Sequence, residues 1–284
     1  MKKRLGNAAV KTVLLLLGAA FCAPIPVLLS GSIMSRYELL QNLTPLTADG
    51  ERFITWSFFP LWPTFAHYTK LLFQTPQFFI VFWNSMKLVA CILLGQLLIA
   101  VPAAWAFAVY PFRFRKLLFT LYVVLMLMPF QVTMLSSYLV LDGLSLMNSH
   151  KAIILPAVFS TYPVFLVYRG FCSLPKGLIE AARIDGLNEV QIFFRMFFPT
   201  MRSTYAAAGV ITFMNAWNAY LWPKVIMTDN NSITMPMLIA NLITGYVTDY
   251  GMLMCGVLFC SIPTMIVFFI LQKQFAEGIT GAVK

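Results

Sequence analysis

The stretch LPKGLIEAARIDGLNEVQIFFRMFFP, Leu174–Pro199, decides the fold because it interrupts a chain that is otherwise strongly apolar. Pro175 suits the first turn of a helix, and Leu178–Asp185 has a helix-forming composition. Gly186 is the residue type that ends a helix in the left-handed conformation. A second helix is predicted over Asn188–Phe198, whose aromatic side chains can hold a core near the membrane. The stretch therefore predicts two short helices inside a polar loop.

The remainder of the chain has the composition of an integral membrane protein. Of 284 residues, 60% are hydrophobic and 11% are charged, and the mean hydropathy is +0.80. Soluble domains of this length are far less apolar. A bilayer span needs about 20 apolar residues, which predicts an all-α polytopic protein with six transmembrane helices. The six predicted spans are Val10–Ser32, Phe79–Tyr110, Leu117–Leu141, Ala152–Tyr168, Tyr205–Met227 and Met252–Leu271.

The first apolar run has two interpretations. Three basic residues precede it and small residues follow, which is the pattern of a cleaved signal peptide. The run is longer than such a peptide needs, so we interpret it as a membrane anchor. It belongs to a predicted segment 1–77, which holds this anchor helix and an outer loop, followed by the membrane core 78–284.

The charge distribution predicts the orientation of the chain. With the amino terminus in the cytoplasm, the inner segments hold 14 basic and 4 acidic residues, and the outer segments hold 6 of each. The positive-inside rule accounts for the whole net charge of +10, so no nucleic acid partner is needed. Both termini are predicted to be cytoplasmic. Residues 173–203 form a cytoplasmic loop between spans four and five.

The spans lack the groups that would power transport by themselves. No Asp or Glu lies in the middle of a span, whereas ion-coupled transporters usually need an ionisable group at that depth. The chain has no GxxxxGK[ST] phosphate loop; the nearest text, GNAAVKT at Gly6–Thr12, has Val10 where a glycine is required. The five cysteines and two histidines show no metal-ligand spacing. If the chain carries out driven transport, the energy must therefore come through another polypeptide, docked on the cytoplasmic side.

The polar loop resembles the EAA loop of ABC importer permeases. The pattern E-A-A-x-x-x-G is followed, a dozen residues later, by an apolar residue and a proline that we expect to break the backbone before span five. An aspartate directly before the glycine is similar to the carbohydrate branch of that family. The residues that carry the resemblance, and that we expect to couple the chain to an ATPase, are Glu180, Ala181, Ala182, Asp185, Gly186 and Pro199.

The resemblance covers most of the chain. Five further segments are similar to the family, in the expected order: Asn84–Ser85 at the start of the second span, YPFRFR at Tyr110–Arg115, MPFQVTMLSSYLVLDGLSLMNSHKAIILP at Met128–Pro156, WNAYLWP at Trp217–Pro223 and the tail Gln272–Lys284. The tail resembles that of the maltose-type smaller permease. Ser203 departs from the family, which often has a second proline after the loop.

The resemblance implies a permease subunit, without catalysis or cofactors of its own, in the bacterial cytoplasmic (inner) membrane. It implies a second homologous permease subunit, two ATP-binding cassette subunits and an extracytoplasmic solute-binding protein as partners, and a sugar or oligosaccharide as the solute. Glu180 would meet a basic residue of the ATPase. Ala181 and Ala182 would offer a surface without bulk, so that the ATPase approaches closely.

Several polar or amphipathic residues of the spans are candidates for lining the solute pathway, because sugars bind through hydrogen bonds and stacking on aromatic rings. Asn215, Asn218 and Trp222 are predicted to share one helical face. Asn and Gln also join helices without touching a solute, and that alternative remains open for each. The candidates are Gln131, Asn215, Trp217, Asn218 and Trp222, with Gln96 and Thr133 as further members.

Three other functions fit parts of the pattern. An ion-coupled secondary transporter of small solutes is the alternative from a different class. A membrane scaffold that transports nothing is another. The loop by itself could also be an amphipathic connection between two spans.

Overall fold

All regular structure in the described residues is helical. The computed structural model describes residues 2–47, 56–175, 177–244 and 249–283. The first half contains α1 (Lys2–Cys22), α2 (Pro24–Ile33), α3 (Arg36–Thr47), α4 (Ala66–Phe73), α5 (Pro76–Val109), α6 (Arg115–Leu127), α7 (Phe130–Gly143), α8 (His150–Val158) and α9 (Thr161–Cys172). The second half contains α10 (Gly177–Ile184), α11 (Glu189–Gln191), a π-helix (Ile192–Phe197), α12 (Phe198–Thr200), α13 (Arg202–Trp217), α14 (Leu221–Ile226), α15 (Met235–Thr244) and α16 (Tyr250–Val283).

Four helical stretches of the described chain are long and apolar enough to cross a membrane. They are Val10–Ile33, Pro76–Val109, His150–Cys172 and Tyr250–Gln274. They correspond to the predicted spans one, two, four and six. A fifth span arises if α6 and α7 are counted together. The protein is therefore an all-helical polytopic membrane protein with four or five candidate spans.

The third predicted span is not one straight helix. α6 ends at Leu127 and α7 begins at Phe130, with a bend of 103° between them. Pro129 lies at the break, and Met128 before it is extended, with ψ of 131°. A proline disfavours helical geometry in the residue that precedes it, so the sequence MPF ends α6.

The fifth predicted span is also interrupted. α13 ends at Trp217, and α14 begins only at Leu221. Pro223 has no N–H to donate to the carbonyl four residues earlier, so a continuous helix would lose a hydrogen bond at this point. The single helical face predicted for Asn215, Asn218 and Trp222 was therefore wrong, because the helix changes between the second residue and the third.

The chain separates into two compact units. Unit 1 contains Met1–Phe79 and Leu238–Ile262. Within it, Asp249 forms an ion pair with Lys70 at 3.0 Å, and its other carboxylate oxygen lies 3.3 Å from Nδ1 of His67. His67 also reaches the carbonyl of Met34 at 3.1 Å, which joins the segment after α2 to α4.

Unit 2 contains Ile80–Met237 and Pro263–Lys284. Its core combines α5, α9, α10, the π-helix and α13. α9 and α13 approach closely at Gly170, where a Cβ atom would lie 2.8 Å from Cγ2 of Thr204. A larger residue at position 170 would force the two helices apart.

Candidate functional site

The short helix α10 ends in a tight turn at Gly186. The N–H of Gly186 donates to the carbonyl of Arg183 at 3.1 Å, and the N–H of Leu187 donates to the carbonyl of Ala182 at 3.1 Å. This pair of bonds is the Schellman motif. Gly186 has φ of +80°, a left-handed conformation that L side chains rarely adopt. The predicted left-handed glycine is confirmed, and the turn fixes where α10 stops.

α10 presents one side to the core of unit 2 and the other to its surroundings. Ala182 is only 1% exposed and belongs to the core that includes Ile192 and Phe197. The expectation that both alanines face a partner was therefore wrong for Ala182, whose small side chain instead lets α10 approach its own core. The exposed residues between Glu180 and Gly186 are Glu180, Ala181, Arg183, Ile184, Asp185 and Gly186.

The second predicted helix begins where expected but is not uniform. Asn188 caps it: its side chain accepts from the N–H of Gln191 at 2.8 Å, and Oε1 of Gln191 accepts from the N–H of Asn188 at 3.0 Å. The turns that follow form the π-helix Ile192–Phe197. Pro199 was expected to break the backbone, but the chain stays helical through it, since α12 follows the π-helix without interruption. The turn comes at Met201 instead.

Glu189 joins α10 to the end of α5. Its Oε1 accepts a hydrogen bond from Nε of Arg183 at 2.8 Å, and its Oε2 accepts one from the hydroxyl of Tyr110 at 2.9 Å. The Arg183 bond lowers the pKa of the Glu189 carboxyl, against the opposing effect of burial, and Tyr110 lowers it further. Glu189 is thus a carboxylate at neutral pH and connects three segments.

An aromatic cluster lies beside this bridge. The ring of Trp105 on α5 is 5.3 Å from that of Phe171 on α9, 5.5 Å from that of Phe193 and 4.9 Å from that of Phe197. Tilted and edge-to-face aromatic pairs at such distances are favourable beyond their buried area. The cluster therefore packs the π-helix firmly against α5.

A cleft of about 540 Å³ opens beside α10. Its polar wall includes Glu180, Arg183, Arg115 and Tyr168, while Trp105 forms part of its apolar wall. It brings the ends of α5 and α9 and the beginning of α6 to the same end of unit 2. The cleft thus places Glu180 of the EAA-like pattern beside the basic side chains of Arg115 and Arg183.

A second cavity of about 470 Å³ lies elsewhere in unit 2, among α5, α7, α8, α9, α13 and α14. Of the predicted pathway residues, Gln96, Thr133, Asn215 and Trp222 line it. Gln131, Trp217 and Asn218 are not among its lining residues. No charged side chain occurs among the residues that line this cavity.

Gln96 holds the wall of this cavity together. Its Nε2 donates to the carbonyl of Ala157 at 2.7 Å, and its Oε1 accepts from the hydroxyl of Thr212 at 2.6 Å. Gln96 and Thr212 are both buried. The bonds join α5, α8 and α13, so Gln96 performs the helix-joining role that the sequence left as an alternative.

The two candidate tryptophans have different surroundings. The Nε1 of Trp222 donates to the carbonyl of Ala152 at 3.2 Å, and its ring meets Phe130 edge-on at 6.0 Å. Trp217 is 1% exposed and stacks on Phe213 with ring centroids 5.9 Å apart. Trp217 is therefore a core residue and not part of the cavity wall.

Sequence reasoning missed Tyr110, Arg183 and Glu189 as site residues. Tyr110 and Glu189 are 79 positions apart, so no local spacing indicates that they meet. In the described part of the chain, no group of three His, Cys, Asp or Glu side chains is arranged to hold a metal ion. Of the five cysteines, Cys22, Cys91 and Cys172 are exposed, and Cys255 is buried.

Comparison with known proteins connects this geometry to a family. Residues 96–281 match the model of the binding-protein-dependent transport system inner membrane component. The arabinooligosaccharides transport system permease protein AraQ of Halalkalibacterium halodurans is 33% identical over 95% of this chain and 96% of its own length. The lactose transport system permease protein LacG of Rhizobium radiobacter is 37% identical over 72% of this chain and 75% of its own.

Two more proteins extend the comparison. The sn-glycerol-3-phosphate transport system permease protein UgpE of Pectobacterium atrosepticum is 31% identical over 74% of this chain and 76% of its own length. A crystal structure of a bacterial ABC transporter involved in the import of the acidic polysaccharide alginate has the same fold. Its matching chain has a TM-score of 0.78 with 20% identity, covering 97% of this chain and 98% of that one.

Membership of this family excludes two of the alternative functions, namely an ion-coupled secondary transporter and a membrane scaffold that transports nothing. A protein of this class works with an ATPase, a binding protein and a paired permease, and it resides in the inner membrane as a multi-pass component. The chain belongs to the family of binding-protein-dependent transport system inner membrane components: it is the permease subunit of an ABC importer, and not the subunit that hydrolyses ATP.

Proposed function

We propose that this permease forms half of the translocation pathway for a sugar or oligosaccharide and couples that pathway to ATP hydrolysis through α10 and the Gly186 turn. The observation that carries the proposal is the bridge at Glu189, which ties α10 to Tyr110, directly after α5. α5 is one continuous helix from Pro76 to Val109. Its end meets the bridge, and its residue Gln96 lines the cavity.

The path from α10 to the cavity runs along α5, in which Pro102 lies between Trp105 and Gln96. Force applied to α10 reaches α5 through the Glu189 bridge and through the rings packed on Trp105. Rigid packed elements with few soft joints carry such displacement over tens of ångströms. Movement of α5 then changes the shape of the cavity wall, because Gln96 joins α5 to α8 and α13.

The chemistry of the cavity favours an uncharged solute. Its lining combines hydroxyls and amides with the ring of Trp222, and it contains no charged side chain. Its volume of about 470 Å³ lies within the range of roughly 300–1,000 Å³ for small-molecule sites. A neutral sugar matches such a wall. A phosphorylated polyol, the solute in the name of the UgpE relative, would bring charge to a wall without a cation.

The topology and the assembly complete the proposal. Six spans with both termini in the cytoplasm agree with the charge distribution, and they put residues 173–203 on the side where an ATPase docks. α13 and α14 then cross together as the fifth span. The working assembly contains this chain, a second homologous permease, two ATP-binding cassette subunits and an extracytoplasmic solute-binding protein.

Reconstitution of the co-purified complex tests this function. Proteoliposomes containing the complex and its binding protein should take up neutral oligosaccharides only when ATP is supplied on the side of the ATP-binding subunits. Glycerol 3-phosphate should not compete. Uptake that an ion gradient drives without ATP, or full competition by glycerol 3-phosphate, would contradict the coupling or the solute class respectively.

A further inference from the structure

Ser57–Phe65, shortly before α4, forms an exposed apolar loop that no step of the proposed coupling involves. The segment SFFPLWPTF, Ser57–Phe65, contains no charged residue. Within it, Phe59 is 87% exposed, Leu61 is 78% exposed and Trp62 is 73% exposed. An apolar patch of this density on a protein surface marks an interaction site.

The loop is fixed to the end of a membrane-spanning helix. The N–H of Thr64 donates to the carbonyl of Ile33 at 2.8 Å, and Ile33 is the last residue of the candidate span Val10–Ile33. Nε1 of Trp56, directly before the loop, donates to Oγ of Ser30 in the same helix at 3.1 Å. A span of 24 residues is about 36 Å long, and the hydrocarbon core is about 30 Å thick. Its end, and the loop with it, therefore lies at the level of the lipid headgroups.

Several backbone polar groups of the loop form hydrogen bonds within the protein and do not need water as a partner. Glu38, a buried residue of α3, accepts hydrogen bonds from the N–H of Leu61 at 2.9 Å and from that of Trp62 at 3.5 Å. The hydroxyl of Ser57 donates to the carbonyl of Phe59 at 2.7 Å. Irregular backbone next to lipid must have its polar groups satisfied internally, and here side chains satisfy three of them, the N–H groups of Leu61 and Trp62 and the carbonyl of Phe59, while large apolar side chains are exposed.

We propose that Ser57–Phe65 inserts its aromatic side chains into the bilayer interface, in the leaflet opposite the amino terminus, and anchors the end of α2 there. Tryptophan and other aromatic residues favour this zone, because their rings are apolar and their dipoles tolerate headgroups. A protein partner is the weaker explanation. The docking surfaces of soluble partners carry a polar rim, and Ser57–Phe65 has no charge to contribute to one.

Lipid-attached quenchers test the insertion directly. The full-length chain, purified with its co-expressed partner subunits, is reconstituted into phosphatidylcholine vesicles whose acyl chains carry bromine near the headgroup end. Comparison of wild type with Trp62→Phe isolates the fluorescence of Trp62. Trp62→Phe removes only an exposed indole and should assemble normally. Trp83, exposed on α5, and buried Trp217 supply the positive and negative controls through the same replacement.

The expected result is that the Trp62 component is quenched by brominated lipid to an extent comparable with Trp83, and that aqueous iodide quenches it weakly. Bromine near the methyl end of the acyl chain should quench Trp62 less than bromine near the headgroup. Strong iodide quenching without lipid quenching would overturn the proposal in favour of a water-facing loop. Absence of both would overturn it in favour of coverage by a protein subunit.

Discussion

The α10 end of unit 2 and its cavity are held together by different forces. At the α10 end, an exposed ion pair between Arg183 and Glu189 and a cluster of aromatic rings hold the segment. In the cavity wall, the uncharged bonds of Gln96 join the helices. A charge at membrane depth is expensive, whereas charges at a water-facing end cost little. The difference shows that the α10 end can bind a soluble partner, whereas the cavity presents an uncharged wall to its solute.

Gly186→Val should have the largest effect, and it acts only at the α10 end. A β-branched residue at φ of +80° carries strain of about 1–2 kcal/mol, which corresponds to about a tenfold change in an equilibrium. We expect ATP-driven uptake to fall by about that factor while membrane insertion is retained. The measurement is uptake per complex in proteoliposomes.

Gly186→Asn is the matched control for this variant, because asparagine tolerates the left-handed conformation better than other side chains. It should retain most of the uptake. If the valine variant transports normally, the conformation of the turn does not matter for coupling.

Gln96→Leu should have the next largest effect, and it acts only in the cavity. The change leaves the carbonyl of Ala157 and the hydroxyl of Thr212 without their partner, which costs about 1 kcal/mol or somewhat more. We expect a lower thermal unfolding temperature of the purified complex. Gln131→Leu, at an exposed position outside the cavity wall, should leave that temperature unchanged. Equal shifts in the two variants would remove the role assigned to Gln96.

Trp222→Phe is a more conservative substitution and tests whether the cavity wall contributes to solute affinity. The replacement keeps an aromatic ring but removes the donor to Ala152 and part of the stacking area. We expect a reduction in apparent solute affinity of about 0.5–1 kcal/mol, measured as the KM of uptake at saturating ATP. Trp83→Phe should leave KM unchanged, since Trp83 does not line the cavity. If KM is unchanged in the Trp222 variant as well, the solute does not bind against this part of the cavity wall.

The smallest effect is expected at the Tyr110–Glu189 contact. A double-mutant cycle with Tyr110→Phe and Glu189→Gln should give a coupling energy of about 0.5 kcal/mol, because the carboxylate is partly exposed and screened. ATPase stimulation by the loaded binding protein should fall in both single variants and fall no further in the double variant. Additive losses would show that the two residues act separately.

The pH dependence of this bridge follows from the lowered pKa of Glu189. Its stabilisation is complete above the ordinary range of a carboxyl group and is lost as the pH falls through the folded-state pKa, which is below the ordinary value of 4.5. The difference in the free energy of unfolding between wild type and Glu189→Gln, which we call the offset, should therefore be constant from neutral to mildly acidic pH. The offset should shrink only in acid solution.

Much of the fold could be predicted from local pattern. Hydropathy indicated four spans correctly, because an apolar run of 20 or more residues is a local property. It failed where Pro129 and Pro223 interrupt apolar runs, since averaged hydropathy does not register a missing donor. The EAA-like pattern indicated the position of α10 and the conformation of Gly186. It did not indicate that Ala182 is buried, because burial depends on the aromatic residues packed around it.

The sequence by itself determined that this chain lives in a membrane, where α10 ends, and which family it belongs to. Apolar runs, helix-ending turns and family motifs each depend on residues that are close together in the sequence. Only the tertiary structure decided that Glu189 joins Tyr110 to Arg183, that Gln96 binds two other helices and that Trp217 lies in the core. These contacts join residues far apart in the chain, and packing brings such residues together without leaving any local spacing that a reader of the sequence could detect.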